Sequence, residues 1–82
     1  MISARQMKAA RALLGMDQRT LAQLSGVSLP TIRRMEGSED NVRANVDTLV
    51  KVVEALEAAG IELIGEGAQS VEGGRGVRLR PR

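Results

Sequence analysis

One stretch of the sequence, residues 18–35 (QRTLAQLSGVSLPTIRRM), places small, glycine and apolar residues where two short crossed helices need them. Asp17 is a suitable N-cap for the first helix, and Leu21 and Leu24 lie three residues apart, which predicts one apolar stripe. Gly26 follows that stripe at a position where helices commonly end with a left-handed residue, which glycine adopts without strain. The sequence therefore predicts a short helix that ends in a sharp turn.

A second short helix is predicted directly after this turn. Ser28 is its N-cap, Pro30 falls in the first turn where a missing N–H is tolerated, and Val27 and Ile32 have the spacing of a hydrophobic staple. Ile32 and Met35, three residues apart, form its inward face. At about 100° per residue, the exposed surface then consists of Pro30, Arg33 and Arg34, with Leu29 and Thr31 at its borders.

Two short crossed helices with a glycine turn form a helix-turn-helix, a unit that places its second helix in the major groove of duplex DNA. Amphipathic helix pairs of this kind also occur in all-α domains that never bind nucleic acid. The combination of Ala22, Gly26, Val27 and Ile32 at fixed offsets is stricter than amphipathicity alone. We therefore expect DNA binding rather than a purely structural helical hairpin.

The chain has 82 residues, which predicts one domain near the lower size at which a chain supports its own core. It contains no cysteine and no aromatic residue. The core must therefore consist of aliphatic side chains and methionine, without a disulfide or a thiolate metal site, and we expect neither a metal nor a cofactor. Because such a core is small, we expect a homodimer.

The net charge of +2 is distributed unevenly along the chain. Residues 1–45 hold seven basic and four acidic residues. Residues 46–66 hold one basic and five acidic residues, and residues 67–82 hold four basic residues and one acidic residue. This segregation suits a basic face presented to phosphates and an acidic face turned away. No apolar run is long enough to span a membrane and no secretion signal is apparent, so we expect a cytoplasmic protein without a membrane partner.

Two further helices flank the central pair. Ser3 and Gln6 have capping-box spacing and Gly15 follows the last apolar residue, which predicts a helix over residues 3–14. Residues 37–44 form a polar loop. Asn45 then caps a longer helix that ends at Gly60, and its apolar face is predicted to comprise Val46, Leu49, Val50, Val53 and Leu56.

Beyond residue 60 the period changes to alternation, and two short strands are predicted over residues 61–64 and 77–80 with a glycine-rich connection. In an antiparallel pair, Glu62 faces Arg78 or Arg80, while Leu63 and Leu79 share the inner surface. We divide the chain into residues 1–60, a helical DNA-binding domain, and residues 61–82, a strand-loop-strand tail.

A lone hairpin is marginal in water and its open edge invites pairing with a copy of itself. The tail is therefore the expected dimerisation element, through Ile61, Leu63, Ile64, Val77 and Leu79. The alternative is a hairpin that lies on the last helix of its own protomer.

The residues DQRTLAQLSGVSLPTIRRMEG, preceded by ARALLGM, strongly resemble the lambda-repressor and Cro superfamily of regulators, often called XRE-like. The phrase ANVDTLVKVVEALEAAGIELI resembles the last helix and following strand of small bacterial members. The resemblance covers roughly residues 3–59. It implies a mainly α fold, a four-helix lambda-repressor-like domain with a short C-terminal β-hairpin.

The resemblance also implies roles for individual residues. Gln18 matches a glutamine that contacts a phosphate, and Arg34 matches a base-reading position. Arg11 and Glu36 match a structural salt bridge between the first helix and the end of the recognition helix. Together with the exposed arginines of the helix-turn-helix, the full set expected to contact DNA is Gln18, Arg19, Ser28, Leu29, Pro30, Thr31, Arg33, Arg34 and Arg43.

The recognition helix departs from the family where Leu29 and Pro30 replace polar residues, since neither makes bidentate amide contacts to adenine. They suit thymine methyl groups, and Arg33 and Arg34 are left to read guanine or to hold phosphates. The arginines at 75, 78, 80 and 82 are either solvated charge or a DNA-contacting arm.

Without His, Cys or Tyr, the chain lacks most members of nucleophile–base arrangements, and we do not expect an enzyme. The expected function is a sequence-specific regulator of transcription that binds double-stranded DNA as a dimer, most simply a repressor at an inverted repeat. The alternative is a protein-partner module, for instance an antitoxin whose tail binds a toxin.

Overall fold

The computed structural model describes residues 2–65 and 73–81. In chain order its elements are α1 (Ala4–Leu14), α2 (Gln18–Ser25), α3 (Leu29–Glu36), α4 (Val46–Ala58), β1 (Ile61–Ile64) and β2 (Gly76–Leu79). The two strands form an antiparallel sheet in which Glu62 lies opposite Arg78. The predicted mainly α fold, with four helices and a C-terminal hairpin, is confirmed.

The helices begin where the capping residues predicted them, whereas α4 ends at Ala58 with Ala59 rather than Gly60 as its C-cap. The side chains of four N-caps each accept a hydrogen bond from a backbone N–H in the first helical turn, and these residues are Ser3, Asp17, Ser28 and Asn45. Gly15 and Gly26 have positive φ values of 64° and 74° and end α1 and α2 in the left-handed conformation. The turn between α2 and α3 therefore depends on a residue without a Cβ.

The N-cap of α2 makes the start of this helix sensitive to acid. The Thr20 N–H donates to Asp17 Oδ1 at 2.8 Å, and this hydrogen bond lowers the pKa of the exposed Asp17 carboxyl below its ordinary value of 3.8. Because the pKa is lowered, the ionised cap stabilises the protein above pH 3.8, and this contribution is lost as the pH falls through the folded-state pKa.

We expect Asp17→Asn, which keeps a capping acceptor but does not titrate, to lose less stability than the wild type on acidification. Thermal unfolding of both proteins over an acid pH series measures this difference, and parallel curves would contradict it.

The core is aliphatic and lies where α1, α2, α3, α4 and β1 meet. Its largest fully buried side chains are Ile2, Met7, Leu21, Ile32, Met35, Val52, Leu56 and Ile61. Ile32 and Met35 form the inward face of α3, as predicted. The shielding of these side chains from water is the main stabilising contribution of the fold.

Two predicted apolar faces were partly wrong. Leu24 does not continue the buried stripe of α2, because 58% of its surface is exposed. On α4, Val46 is 70% and Val50 36% exposed, whereas Val52 is fully buried. The apolar arc of α4 is wide enough to allow two rotations about its axis, and packing against α2 and β1 selects the face at residues 49, 52, 53 and 56.

The hairpin packs on its own protomer, with β2 against α1 and β1 against α4. Gln6 holds it there, because its Nε2 donates to the carbonyl oxygens of both Ile64 and Gly76 at 3.0 Å. Its Oε1 meanwhile accepts from the Ser3 N–H at 2.9 Å in the capping box of α1. One buried amide therefore joins the first helix to the last two strands.

The loop after α3 is attached to the start of the chain. Ser3 and Asn41 form an isolated antiparallel bridge, the Ala4 N–H donates to Asp40 O at 3.1 Å, and the Val42 N–H donates to Ile2 O at 3.0 Å. Val42 is buried. This attachment holds Arg43, the next residue, on a segment with defined backbone hydrogen bonds.

Candidate nucleic-acid interface

The outer face of α3 is basic and exposed. Pro30, Arg33 and Arg34 are exposed, and Leu29 and Thr31 at the borders are half-buried. This is the arrangement predicted from the helical period. An eight-residue helix with two arginines and a short apolar surface on its free side has the size and charge to enter a major groove.

The start of α3 is fixed by its capping residue. The Ser28 hydroxyl donates to Thr31 Oγ1 at 2.9 Å and accepts from the Thr31 N–H at 3.3 Å. Because Thr31 Oγ1 acts as the acceptor, its own hydroxyl proton remains available for an external acceptor. The two hydroxyls predicted to contact DNA are therefore held together at the start of α3.

A buried carboxylate ties three helices together beneath this surface. Glu36, only 3% exposed, accepts from Arg11 Nε at 2.6 Å and from Arg11 Nη2 at 2.7 Å. This is the salt bridge that the family resemblance implied. The hydrogen bond to Glu36 raises the pKa of Arg11, and Arg11 Nη1 also donates to the carbonyl oxygen of Met16 at 3.0 Å.

Gln18, at the start of α2, belongs to the same cluster. Its Nε2 donates to Glu36 Oε1 at 3.1 Å, a contact that was not predicted. A side-chain amide carries two N–H donors, so one is used here and the second remains for a ligand. Glu36 therefore orients the residue that was expected to contact a phosphate.

Four arginines of the predicted interface are exposed and lack an acidic partner among residues 2–65 and 73–81. They are Arg19 on α2, Arg33 and Arg34 on α3, and Arg43 in the loop before α4. By contrast, Arg11 and Arg78 each form an ion pair. Exposed guanidinium groups without an acidic partner are available to phosphates and to guanine.

The described part of the chain includes no group of three or more His, Cys, Asp or Glu side chains that could hold a metal ion. No helix within residues 2–65 and 73–81 is long and apolar enough to cross a membrane.

Gln6 is the residue whose importance the sequence predicted only in part. Its spacing from Ser3 indicated a capping box, but not the two hydrogen bonds to the hairpin, since these link residues 58 and 70 positions apart. The contact between Gln18 and Glu36 was missed because a single sequence does not show how closely the start of α2 approaches the end of α3.

Comparison with known proteins gives a family for most of the chain. A helix-turn-helix family model, HTH_3, matches residues 7–62, from within α1 to the start of β1. No curated protein matches the chain. The match covers the whole of α2, α3 and α4 and thus every residue of the basic surface.

Proposed function

Because the chain belongs to the lambda-repressor-like helix-turn-helix family of DNA-binding regulators, we propose that it is a sequence-specific repressor that binds an inverted-repeat operator as a dimer. It acts in the cytoplasm, and α3 enters the major groove. The half-sites lie about one helical turn, near 34 Å, apart. The observation that carries this proposal is that the arginines at residues 19, 33, 34 and 43 are exposed and form no ion pair with a described residue.

The contacts fall into two groups. Gln18, Arg19 and Arg43 lie at helix starts or in a loop, and we assign them to phosphates, which position the domain without reading sequence. The α3 residues read bases. Arg33 and Arg34 donate to guanine or to phosphate, Ser28 and Thr31 offer hydroxyls, and Leu29 and Pro30 pack on thymine methyl groups.

Arg34→Ala is expected to weaken binding to the operator by about 1–3 kcal/mol and to relax preference at one base pair. The reason is that an arginine that reads guanine contributes to discrimination as well as to affinity. A selection of bound duplexes from a random pool supplies the operator, and titration of single-base variants measures the change.

The control for this experiment is Lys51→Ala, which removes an exposed cation of α4 that pairs with Asp47 and is not among the residues proposed to contact DNA. It should leave affinity and preference unchanged. Equal weakening by Arg34→Ala on every duplex would show a phosphate contact instead. No binding of the wild-type protein to any duplex would overturn the proposed function.

A protein-partner module is the second candidate, supported by two exposed apolar residues, Leu13 on α1 and Leu79 on β2. Such a protein forms a stoichiometric complex with a partner through the tail, as an antitoxin does with a toxin. Tight binding of an inverted repeat by the protein alone favours the regulator, whereas dependence of that binding on a co-purified partner favours the module.

A further inference from the structure

The three tail arginines that the structure describes each donate a hydrogen bond to another part of their own protein. They and their acceptors are Arg75 with the Asn41 side chain, Arg78 with the Glu62 side chain, and Arg80 with the carbonyl oxygen of Glu57. Arg82 lies outside the described residues. Arg78 bonds within the hairpin and Arg80 to the end of α4, whereas Arg75 reaches the loop between α3 and α4, residues 37–45. Arg75 therefore links the hairpin to the loop that carries Arg43.

The contact of Arg75 is the polar link between the hairpin and this loop. Of the hydrogen bonds and ion pairs that residues 75–81 make within the described part of the chain, it is the only one that reaches residues 37–45. Arg75 also lines, with the loop residues Glu39 and Asp40, an open depression of about 570 Å³ beside the start of α1. Because side chains do not fill this space, the hairpin and the loop are joined there by a hydrogen bond rather than by apolar packing.

The backbone on both sides of Arg75 has a defined conformation. Gly76, the next residue, opens β2, and its carbonyl oxygen accepts from Gln6 Nε2 of α1 at 3.0 Å. Gly73 and Gly74, just before Arg75, have positive φ values of 79° and 87°, a conformation that glycine adopts without strain. The guanidinium group of Arg75 therefore reaches Asn41 from a backbone position that α1 holds.

The acceptor of this hydrogen bond lies two residues before Arg43. The Asn41 backbone forms the isolated bridge with Ser3, so the bond from Arg75 to its side chain is an additional attachment of the same residue. The Val42 N–H then donates to Ile2 O at 3.0 Å. Arg43 itself makes no hydrogen bond or ion pair with a described residue. Its position therefore depends on the attachments of Asn41 and Val42.

We propose that Arg75 is a positioning residue for Arg43, because its hydrogen bond to Asn41 holds the loop in the conformation that presents the Arg43 guanidinium to a phosphate. This inference rests on the proposed function, in which Arg43 contacts the DNA backbone. When only part of a protein population holds the binding-competent conformation, the apparent affinity falls by that fraction. The hairpin thus contributes to DNA affinity without touching the duplex, a role for Arg75 that is neither solvated charge nor a DNA-contacting arm.

Removing either partner of the hydrogen bond tests this role. We expect Arg75→Ala to weaken binding to every duplex about 3- to 10-fold, the range that one hydrogen bond supplies. Asn41→Ala keeps the charge of Arg75 but removes its acceptor, so it should weaken binding by the same factor, and the double variant should bind no more weakly than either. If Arg75→Ala weakens binding and Asn41→Ala does not, Arg75 contacts DNA itself and the inference is overturned. Unchanged binding by both variants overturns it as well.

A double-mutant cycle with Arg43 separates positioning from a general loss of stability. In an Arg43→Ala background, Arg75→Ala should cause no further loss of affinity, because the contact that it positions is already absent. A further loss in that background would contradict the inference, and a direct phosphate contact by Arg75 would also reduce the salt slope by about 1. The matched control is Arg80→Ala, which removes a tail arginine bound to α4 rather than to the loop and should leave DNA affinity unchanged.

Hydrogen exchange of the free protein gives a readout that needs no DNA. We expect the Val42 amide to exchange about 3- to 10-fold faster in Arg75→Ala than in the wild type, because its bond to Ile2 O opens more often when the loop loses an attachment. Unchanged exchange would overturn the inference whether or not the protein binds DNA. A wild type that binds no duplex would overturn the proposed function and the role of Arg43, whereas faster exchange would still show that Arg75 attaches the loop.

Discussion

Arg11→Ala is expected to lower the free energy of unfolding by about 3–5 kcal/mol, because it leaves the Glu36 carboxylate buried without its cation. The ion pair is bidentate, and Glu36 is 3% exposed against 19% for Arg11. The remaining contact, from the Gln18 amide, is a neutral hydrogen bond that compensates only in part. Urea denaturation followed by circular dichroism measures the loss.

Two further variants show whether the charge is the cause. Arg11→Lys retains a cation but cannot donate two parallel hydrogen bonds, so its loss should be intermediate. The double variant Arg11→Met with Glu36→Leu removes both charges and should be more stable than Arg11→Ala, since replacing both partners avoids an uncompensated buried charge. If Arg11→Ala is as stable as the wild type, the ion pair with Arg11 is not needed to keep the Glu36 carboxylate buried.

The Arg11 variants also have a functional readout. Without the ion pair, the carboxylate that orients the Gln18 amide is no longer held, so DNA affinity should fall even where the protein is folded. This effect differs from that of Arg34→Ala, because loss of a phosphate contact weakens binding equally for all duplexes. A change of preference at one base pair in Arg11→Lys would contradict the positioning role.

Gln6→Ala is expected to lower the free energy of unfolding by about 2–4 kcal/mol. The substitution removes the donor to two carbonyl oxygens of the hairpin and half of the capping box of α1. Each lost hydrogen bond that leaves a buried group unsatisfied costs about 1–3 kcal/mol. Denaturation measures the loss, and hydrogen exchange of the β1 and β2 amides shows whether the hairpin has separated from α1.

A charged variant and a matched control complete this experiment. Gln6→Glu keeps the acceptor for the Ser3 N–H but places a carboxylate oxygen against the two carbonyl oxygens, so it should not restore stability. Gln23→Ala removes an exposed glutamine from α2 and should change stability by less than about 0.5 kcal/mol. A Gln6→Glu protein as stable as the wild type would show that the hairpin is held by other contacts.

The local features of this fold were predictable from sequence because they depend on near neighbours. Ser3, Asp17, Ser28 and Asn45 cap the helices that follow them, Gly26 ends α2, and the two strands pair antiparallel as predicted. Each depends on a local backbone requirement, such as an acceptor for free N–H groups or a left-handed residue. Such requirements are visible within a few positions along the chain.

The features that could not be predicted depend on how distant elements meet. The apolar residues of α4 cover a wide part of the circumference of the helix. Periodicity alone therefore did not distinguish the buried Val52 from the exposed Val46. The second role of Gln6 depends on where a hairpin some sixty residues later lies. In the candidate site, the exposed face of α3 followed from helical geometry, but the orientation of Gln18 by Glu36 required the packing of two helices.

Gln6, which holds the hairpin, and Arg11, which pairs with Glu36 of α3, are five residues apart on α1. At the rise of an α-helix, they are separated by about 7.5 Å along its axis. Because both contacts are made by one helix, α1 fixes the position of the hairpin relative to α3 within the protomer. If two protomers join through their hairpins, the length of this eleven-residue helix contributes to the distance between their α3 helices along a duplex.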